Sequence, residues 1–210
     1  MAGLTLLAGT TACDPLADPP AGTPANNGQQ LAGDAAAASA ALAALPVAKW
    51  AAMTGYSRER FHHWTAHGSG CDTREVVLRR DGTDVATGKD CTITSGTWFS
   101  VYDGKSFTNP RDLDIDHMVP LANAWRTGAA QWTDEQREAF ANDLERPQLL
   151  AVSSSTNRSK GDQDPSEWKP PRRDYWCTYA QSWITVKSYW KLSVTSAEKD
   201  ALAEMLDTCR

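Results

Sequence analysis

The run Asp114-Ile115-Asp116-His117-Met118-Val119-Pro120-Leu121 constrains this chain more than any other stretch. Ile115 alternates with acidic neighbours, the period of a short strand, and Val119-Pro120-Leu121 ends that strand ahead of a long polar insertion. A second apolar run follows, Gln148-Leu149-Leu150-Ala151-Val152, and a Ser-rich turn then delivers Asn157-Arg158-Ser159-Lys160-Gly161-Asp162. A carboxylate, an imidazole and an amide are thus presented from a strand end and from the start of a following helix. That set of oxygen and nitrogen groups suits one hard divalent cation beside a general base.

Asp116-His117 with Val119-Pro120, the Asn142-Asp143-Leu144 segment, the apolar strand and Asn157-Arg158-x-Lys160-Gly161-Asp162 resemble the HNH, or ββα-metal, endonuclease motif. The likeness is to the branch that includes the C-terminal domains of modification-dependent GmrSD-type restriction enzymes, and it is similar to the HNH domain of RNA-guided CRISPR nucleases. Its core spans residues 113–168, and a looser similarity to secreted actinobacterial HNH-family proteins spans residues 56–209. The resemblance implies an α+β fold: a ββα-metal (His-Me finger) core with a small antiparallel sheet and surrounding helices, stapled by disulfides.

It also implies roles. His117 is the expected general base, and Asp116 and Asn157 the expected ligands of Mg²⁺ or Mn²⁺, with waters completing the shell. Asn157 stands where some members carry the final His; others carry Asn. Asn142 matches the middle Asn, which pins its loop through backbone hydrogen bonds. Arg74, beside Cys71, is the arginine that the secreted relatives suggest is brought to the scissile phosphate. Arg158 and Lys160, with Lys169, Arg172 and Arg173, form a positive run around the site that suits phosphate contact. Asp114 shares a strand face with Asp116; it orients a ligand, binds metal through water, or is an exposed strand carboxylate. Asp162 and Asp164 serve the outer shell of the metal or cap local backbone.

The formal net charge is −5 and the pI about 5.3, so no global basic field attracts nucleic acid; one local basic groove must suffice. Residues 1–13 resemble an export signal that ends at a lipoprotein-type acceptor, Cys13. The other four cysteines, Cys71, Cys91, Cys177 and Cys209, read as two disulfides of an exported domain. Of the three possible pairings, Cys71–Cys91 and Cys177–Cys209 are favoured because each closes a local unit. No two of these cysteines form a Cys-x-x-Cys pair, which weakens a structural zinc site. The expected location is secreted or extracytoplasmic, with membrane attachment through a lipidated Cys13.

Residues 14–46 read as a low-complexity tether, rich in Pro, Gly, Asn and Gln as far as Asp34. The Ala-rich stretch at its end is helical, either as tether or as the first helix of the domain, and Pro46 closes it. The endonuclease domain is expected over residues 47–210. Arg58 to Phe61 reads as a capped helical turn. His62, His63 and His67 lie close together, but Gly68 and Gly70 break the element, and a polar role is favoured over a metal site. Residues 71–80 read as helix or strand, with Asp81-Gly82 as a turn. Cys91 to Thr94 and Trp98 to Tyr102 read as two strands joined by a turn at Ser95-Gly96-Thr97, and Asp103-Gly104 is a further turn. Thr133 and Thr195 each open a capping box, and Asp174 is placed to cap a helix running to Trp190. Trp176, Tyr179, Trp183, Val186 and Trp190 share one face of that helix, read as core rather than as a base-stacking platform.

The residues therefore point to an exported, monomeric, metal-dependent endonuclease acting on DNA, with RNA as a further substrate. The rival is a non-catalytic secreted module that keeps the HNH scaffold for binding. A zinc hydrolase is a distant third, since the histidines do not form His-Glu-x-x-His.

Overall fold

Alternation at residues 113–117 does produce a strand, β4 (Leu113–His117), and it pairs antiparallel with β5 (Leu149–Ser153). A computed structural model of the protein describes residues 35–209. The expected export segment with Cys13, and the tether as far as Asp34, lie outside the described residues. The fold is α+β, with two small antiparallel sheets and two disulfides.

The described chain opens with α1 (Ala35–Ala44), which packs on α6 (Trp176–Tyr189) and α7 (Ser196–Leu206). Leu42 and Leu45 are buried in the main core, so packing begins ahead of Val47. After a 3₁₀ turn at Arg58–Arg60 comes α2 (Thr73–Asp81), capped by the Asp72 carboxylate on the Glu75 N–H. Residues 71–80 are thus helical. The three-stranded sheet then forms in the order β1 (Gly82–Thr87), β2 (Ile93–Ser100), β3 (Lys105–Phe107). Helix α3 (Leu121–Thr127) follows β4, then α4 (Asp134–Ala141), β5 and, directly after it, α5 (Ser154–Lys160).

Two expected turns are not turns. At Asp81-Gly82 the helix runs straight into β1, because the buried Asp81 carboxylate accepts the Ala151 N–H and pairs with Arg80. Residues 95–97 stay inside one continuous strand, β2, flanked by β1 and β3. Gly96 is needed there for space: a Cβ would lie 2.7 Å from the indole of Trp98, which is buried and donates to the Leu78 carbonyl. Asp174 does not cap α6 but pairs with the Arg172 guanidinium, and a 3₁₀ turn at Arg173–Tyr175 leads into the helix. Both capping boxes form as expected.

The β4–β5 ribbon divides two apolar clusters. Leu113, Ile115, Leu149 and Ala151 face Val77, Leu78 and Trp98 of α2 and β2. Leu150 and Val152 face the larger cluster around Tyr179, Trp183 and Met205. The helical aromatic face is core: Tyr179, Trp183 and Val186 are buried, with Trp176 and Trp190 packed against them. A ribbon buried on both sides has little freedom to slip, because a one-residue shift would move its carboxylates into the apolar layer.

The disulfides are Cys71–Cys91 and Cys177–Cys209, the favoured pairing. The second ties the start of α6 to the end of α7 across 32 residues. Replacing both Cys177 and Cys209 by Ser is expected to cost about 3 kcal/mol. An unchanged denaturant midpoint would contradict this.

Candidate functional site

Strand alternation sends the Asp114 and Asp116 side chains to the α5 side of β4, and His117 to the opposite side with Leu113 and Ile115. Adjacent residues thus open onto different faces at the end of one strand.

His117 is buried, and its Nε2 lies 2.9 Å from the Ala141 carbonyl oxygen. A carbonyl only accepts, so Nε2 carries the hydrogen and Nδ1 the lone pair. Burial lowers the pKa of the imidazole to about 3, opposed by the bond to Ala141. The Trp64 indole stacks over the ring, centroids 5.7 Å apart and planes 22° apart. The carbonyl is held in place by Asn142. Its Oδ1 accepts from the Thr65 N–H at 3.1 Å and the Thr73 hydroxyl at 2.7 Å, and its Nδ2 donates to the His62 and Glu138 carbonyls, both at 2.8 Å. One amide side chain therefore locks the end of α4, the start of α2 and the loop that carries Trp64.

Asp116 is buried on the other face. Its Oδ2 accepts the Tyr102 hydroxyl at 2.5 Å and the Lys160 ammonium at 2.6 Å. The ammonium also donates to the carbonyls of His117 at 2.8 Å and Met118 at 2.9 Å, which uses all three of its donors. Burial raises the Asp116 carboxyl and lowers the Lys160 ammonium, each restrained by the other's charge. Among the described residues no hydrogen bond reaches the second oxygen, Oδ1, and the residue keeps 5% of its surface exposed.

On the same side, Asn157 donates from Nδ2 to Asp114 Oδ2 at 3.2 Å, which leaves its own Oδ1 as an acceptor. Arg158 is exposed, with Nε 3.8 Å from that Asp114 oxygen. The structure therefore gathers Asp114, Asn157 and Arg158, joins Asp116 to Lys160 and Tyr102, and places His117 against Trp64. Among the described residues no group of three His, Cys, Asp or Glu side chains is arranged to hold a metal ion. Asp114, Asp116 and Asn157 carry oxygen donors, the donor chemistry that a hard cation takes.

Two expected contacts change. Lys160 does not face a substrate phosphate: it is fully buried with every donor used, because a buried carboxylate needs a fixed counter-charge. Arg74 donates to the Pro110 and Leu113 carbonyls, both at 3.0 Å, and so braces the entry to β4. Away from the site, Lys169 pairs with Glu204. The three clustered histidines do not converge on a metal: His62 pairs with Glu138, His67 bonds the Thr73 hydroxyl, and His63 bonds the Phe61 carbonyl. Tyr102 and Trp64 escaped sequence reasoning, and no local pattern marks either.

This arrangement joins a neutral imidazole with a fixed tautomer to an anchored carboxylate, and the sequence carries the matching family signature. The model of the GmrSD restriction endonuclease C-terminal domain matches residues 74–205. The chain belongs to that family. An uncharacterized secreted protein of Arthroderma benhamiae is 52% identical over 206 residues, covering 98% of each chain. No solved structure matches. No helix among the described residues is long and apolar enough to cross a membrane. The GmrSD C-terminal domain match begins at Arg74, so the segment with His63 and Trp64 lies ahead of it.

Two outcomes are expected. Lys160→Met leaves the Asp116 carboxylate buried without its partner and should cost roughly 3–5 kcal/mol, against about 0.5 kcal/mol or less for the exposed Arg158→Ala. Equal denaturation midpoints for the two variants would refute the buried pair. The folded state resists protonating His117, whereas the unfolded chain accepts the proton near pH 6.5. Its contribution to stability is therefore full above about pH 6.5 and is lost as pH falls toward 3. In the folded protein the His117 ring should show neutral nitrogen shifts from about pH 8 down to pH 5 by NMR; a titration near pH 6.5 would contradict this.

Proposed function

We propose that the protein is an exported, monomeric, metal-dependent HNH endonuclease that hydrolyses phosphodiester bonds of DNA, and of RNA where a strand fits. In this reading β4, β5 and α5 form the ββα-metal core. The observation that carries it is the imidazole of His117, held neutral with its hydrogen on Nε2 and its lone pair on Nδ1. A binding module has no need of such a group.

Nδ1 takes a proton from water as the water oxygen attacks phosphorus and the bond to the 3′ oxygen breaks. In-line displacement places the attacking and leaving oxygens on opposite sides of phosphorus. A strand end with its base on one face and its carboxylates on the other suits that demand. Asp116 and Asn157, with Asp114 beside them, would hold Mg²⁺ or Mn²⁺, which when bound supplies positive charge to the phosphate and the departing oxygen. Tyr102 and Lys160 fix the Asp116 carboxylate from behind, as partners of metal-ligating groups do. Arg158 is the exposed cation closest to this cluster and is assigned to phosphate contact. Export is supported by the two disulfides and by the secreted description of the Arthroderma benhamiae relative.

The test is nicking of supercoiled plasmid by the oxidised protein with Mg²⁺, Mn²⁺ or EDTA. His117→Ala should lose about 10²–10⁴-fold in rate while its melting curve stays cooperative. Asn157→Ala should shift half-activation to a higher metal concentration. Undiminished nicking by His117→Ala would remove the base. No nicking by folded wild-type protein with either metal would leave a non-catalytic module built on this scaffold.

A further inference from the structure

Residues 65–73 fold back on themselves beside the site. Ala66 and Asp72 bridge antiparallel, the His67 N–H donates to the Cys71 carbonyl at 2.8 Å, and the Thr73 N–H donates to the Thr65 carbonyl at 3.1 Å. One end of this small hairpin supplies both donors that Asn142 Oδ1 accepts, the Thr65 N–H and the Thr73 hydroxyl. Its other fixing point is the Cys71–Cys91 disulfide. The two arms of that bridge approach closely: a Cβ on Gly70 would lie 2.7 Å from Asp90 Cα. Three non-glycine residues there, Ser69, Asp90 and Cys91, hold left-handed φ angles of 51°, 53° and 62°. Such backbone persists only where the surrounding structure enforces it. Arg79 Nη2 lies 2.7 Å from Cys91 Sγ and 3.5 Å from Cys71 Sγ, and no carboxylate among the described residues pairs with that guanidinium. A fixed cation beside a sulfur stabilises it as a thiolate leaving group. At the Cys177–Cys209 bridge the corresponding contact is the neutral Gln181 amide, 4.0 Å from Cys209 Sγ, and neither cysteine has a left-handed backbone.

We propose that Cys71–Cys91 is a redox clasp on the candidate site, closed by oxidation on export and open under the thiol-rich conditions in which a chain is synthesised. The clasp rests on the reading of the protein as an exported endonuclease, and it keeps such an enzyme silent until it is oxidised. Opening is exchange with a dithiol. One thiolate of the dithiol attacks Cys71 Sγ, the S–S bond breaks, and its electron pair leaves on Cys91 Sγ beside Arg79. The second thiol of the dithiol then closes on the first sulfur, which frees Cys71 as a thiol. The dithiol ends as a disulfide, having given two electrons to the cysteine pair; one of its protons stays on Cys71 and the other goes to solvent. A disulfide oxidant runs the same steps in reverse. The opened hairpin no longer holds Thr65 and Thr73 on Asn142, so the end of α4 loses its brace.

The experiment treats oxidised wild type, Arg79→Met and the double variant Cys71→Ser/Cys91→Ser with graded dithiothreitol and caps free thiols with iodoacetamide. Mass spectrometry then locates the label, and nicking of supercoiled plasmid with Mg²⁺ gives the rate. In wild type, Cys71 and Cys91 should be labelled at a dithiothreitol concentration about tenfold below that for Cys177 and Cys209, and Arg79→Met should narrow the gap. Protein open only at Cys71–Cys91 should nick roughly ten- to a hundredfold more slowly, keep a cooperative melting curve, and recover when oxidised glutathione replaces iodoacetamide. Oxidised Arg79→Met should nick as wild type does. Simultaneous reduction of both bridges, a gap unchanged in Arg79→Met, or full nicking with Cys71–Cys91 open overturns the clasp and leaves the nuclease. Full nicking by the double serine variant does the same; should that variant not fold, partly reduced wild type decides. No nicking by oxidised wild type removes the endonuclease reading instead. Hydrogen exchange then decides the clasp alone: amides of residues 65–73 and 138–142 that exchange no faster after reduction overturn it.

Discussion

The ion pair of Asp116 and Lys160 is the interaction on which the rest depends. It sits where β4, α5 and the main core meet, and both side chains are almost wholly removed from water. Burying two charges is costly unless geometry is good and every remaining donor is used. Here the ammonium meets one carboxylate and two backbone carbonyls, and the carboxylate meets a tyrosine hydroxyl as well. The carbonyls belong to His117 and Met118, so the same ammonium that neutralises Asp116 also fixes the backbone that carries the imidazole. Removing Lys160 would disturb both halves of the site.

The two halves are reached from opposite sides of a ribbon buried between two apolar clusters. On one side, Asn142 gathers α4, α2 and the loop to Trp64, and through Ala141 it sets the tautomer of His117. On the other, α5 follows β5 directly and brings Asn157 to Asp114. The disulfide between Cys71 and Cys91 ties the approach to α2 to the approach to β2. In the proposed reading the chemistry is thus positioned by buried side chains, and the groups that reach solvent are Arg158 and, in part, Asp114 and Asn157.

Much of this was legible because the signals are local. The alternation at 113–117, the apolar run before the Ser-rich turn, the capping boxes at Thr133 and Thr195, and the aromatic face of α6 each depend on neighbours within a turn or two. What escaped was non-local. Tyr102 meets Asp116 only after β3 and the 3₁₀ turn at Pro110–Asp112 have folded between them, and Trp64 meets His117 from a loop with no periodicity. Lys160 lies in a charge run that reads as phosphate contact, yet a buried carboxylate 44 residues away draws it inward. At Ser95-Gly96-Thr97 the turn composition gave way to pairing with β1 and to the space Trp98 needs over Gly96. Long-range packing decided these positions, and a single sequence shows it only weakly.

In the proposed reading one divalent cation binds at the side-chain oxygens of Asp116 and Asn157. Mn²⁺ titration of isotopically labelled, oxidised protein, followed by paramagnetic broadening in NMR spectra, tests it most directly. The expected result is saturable broadening confined to Asp114, Asp116, His117 and Asn157 and their immediate neighbours, reversed by EDTA. Broadening centred on His62 and Glu138, or none at millimolar Mn²⁺, would contradict it.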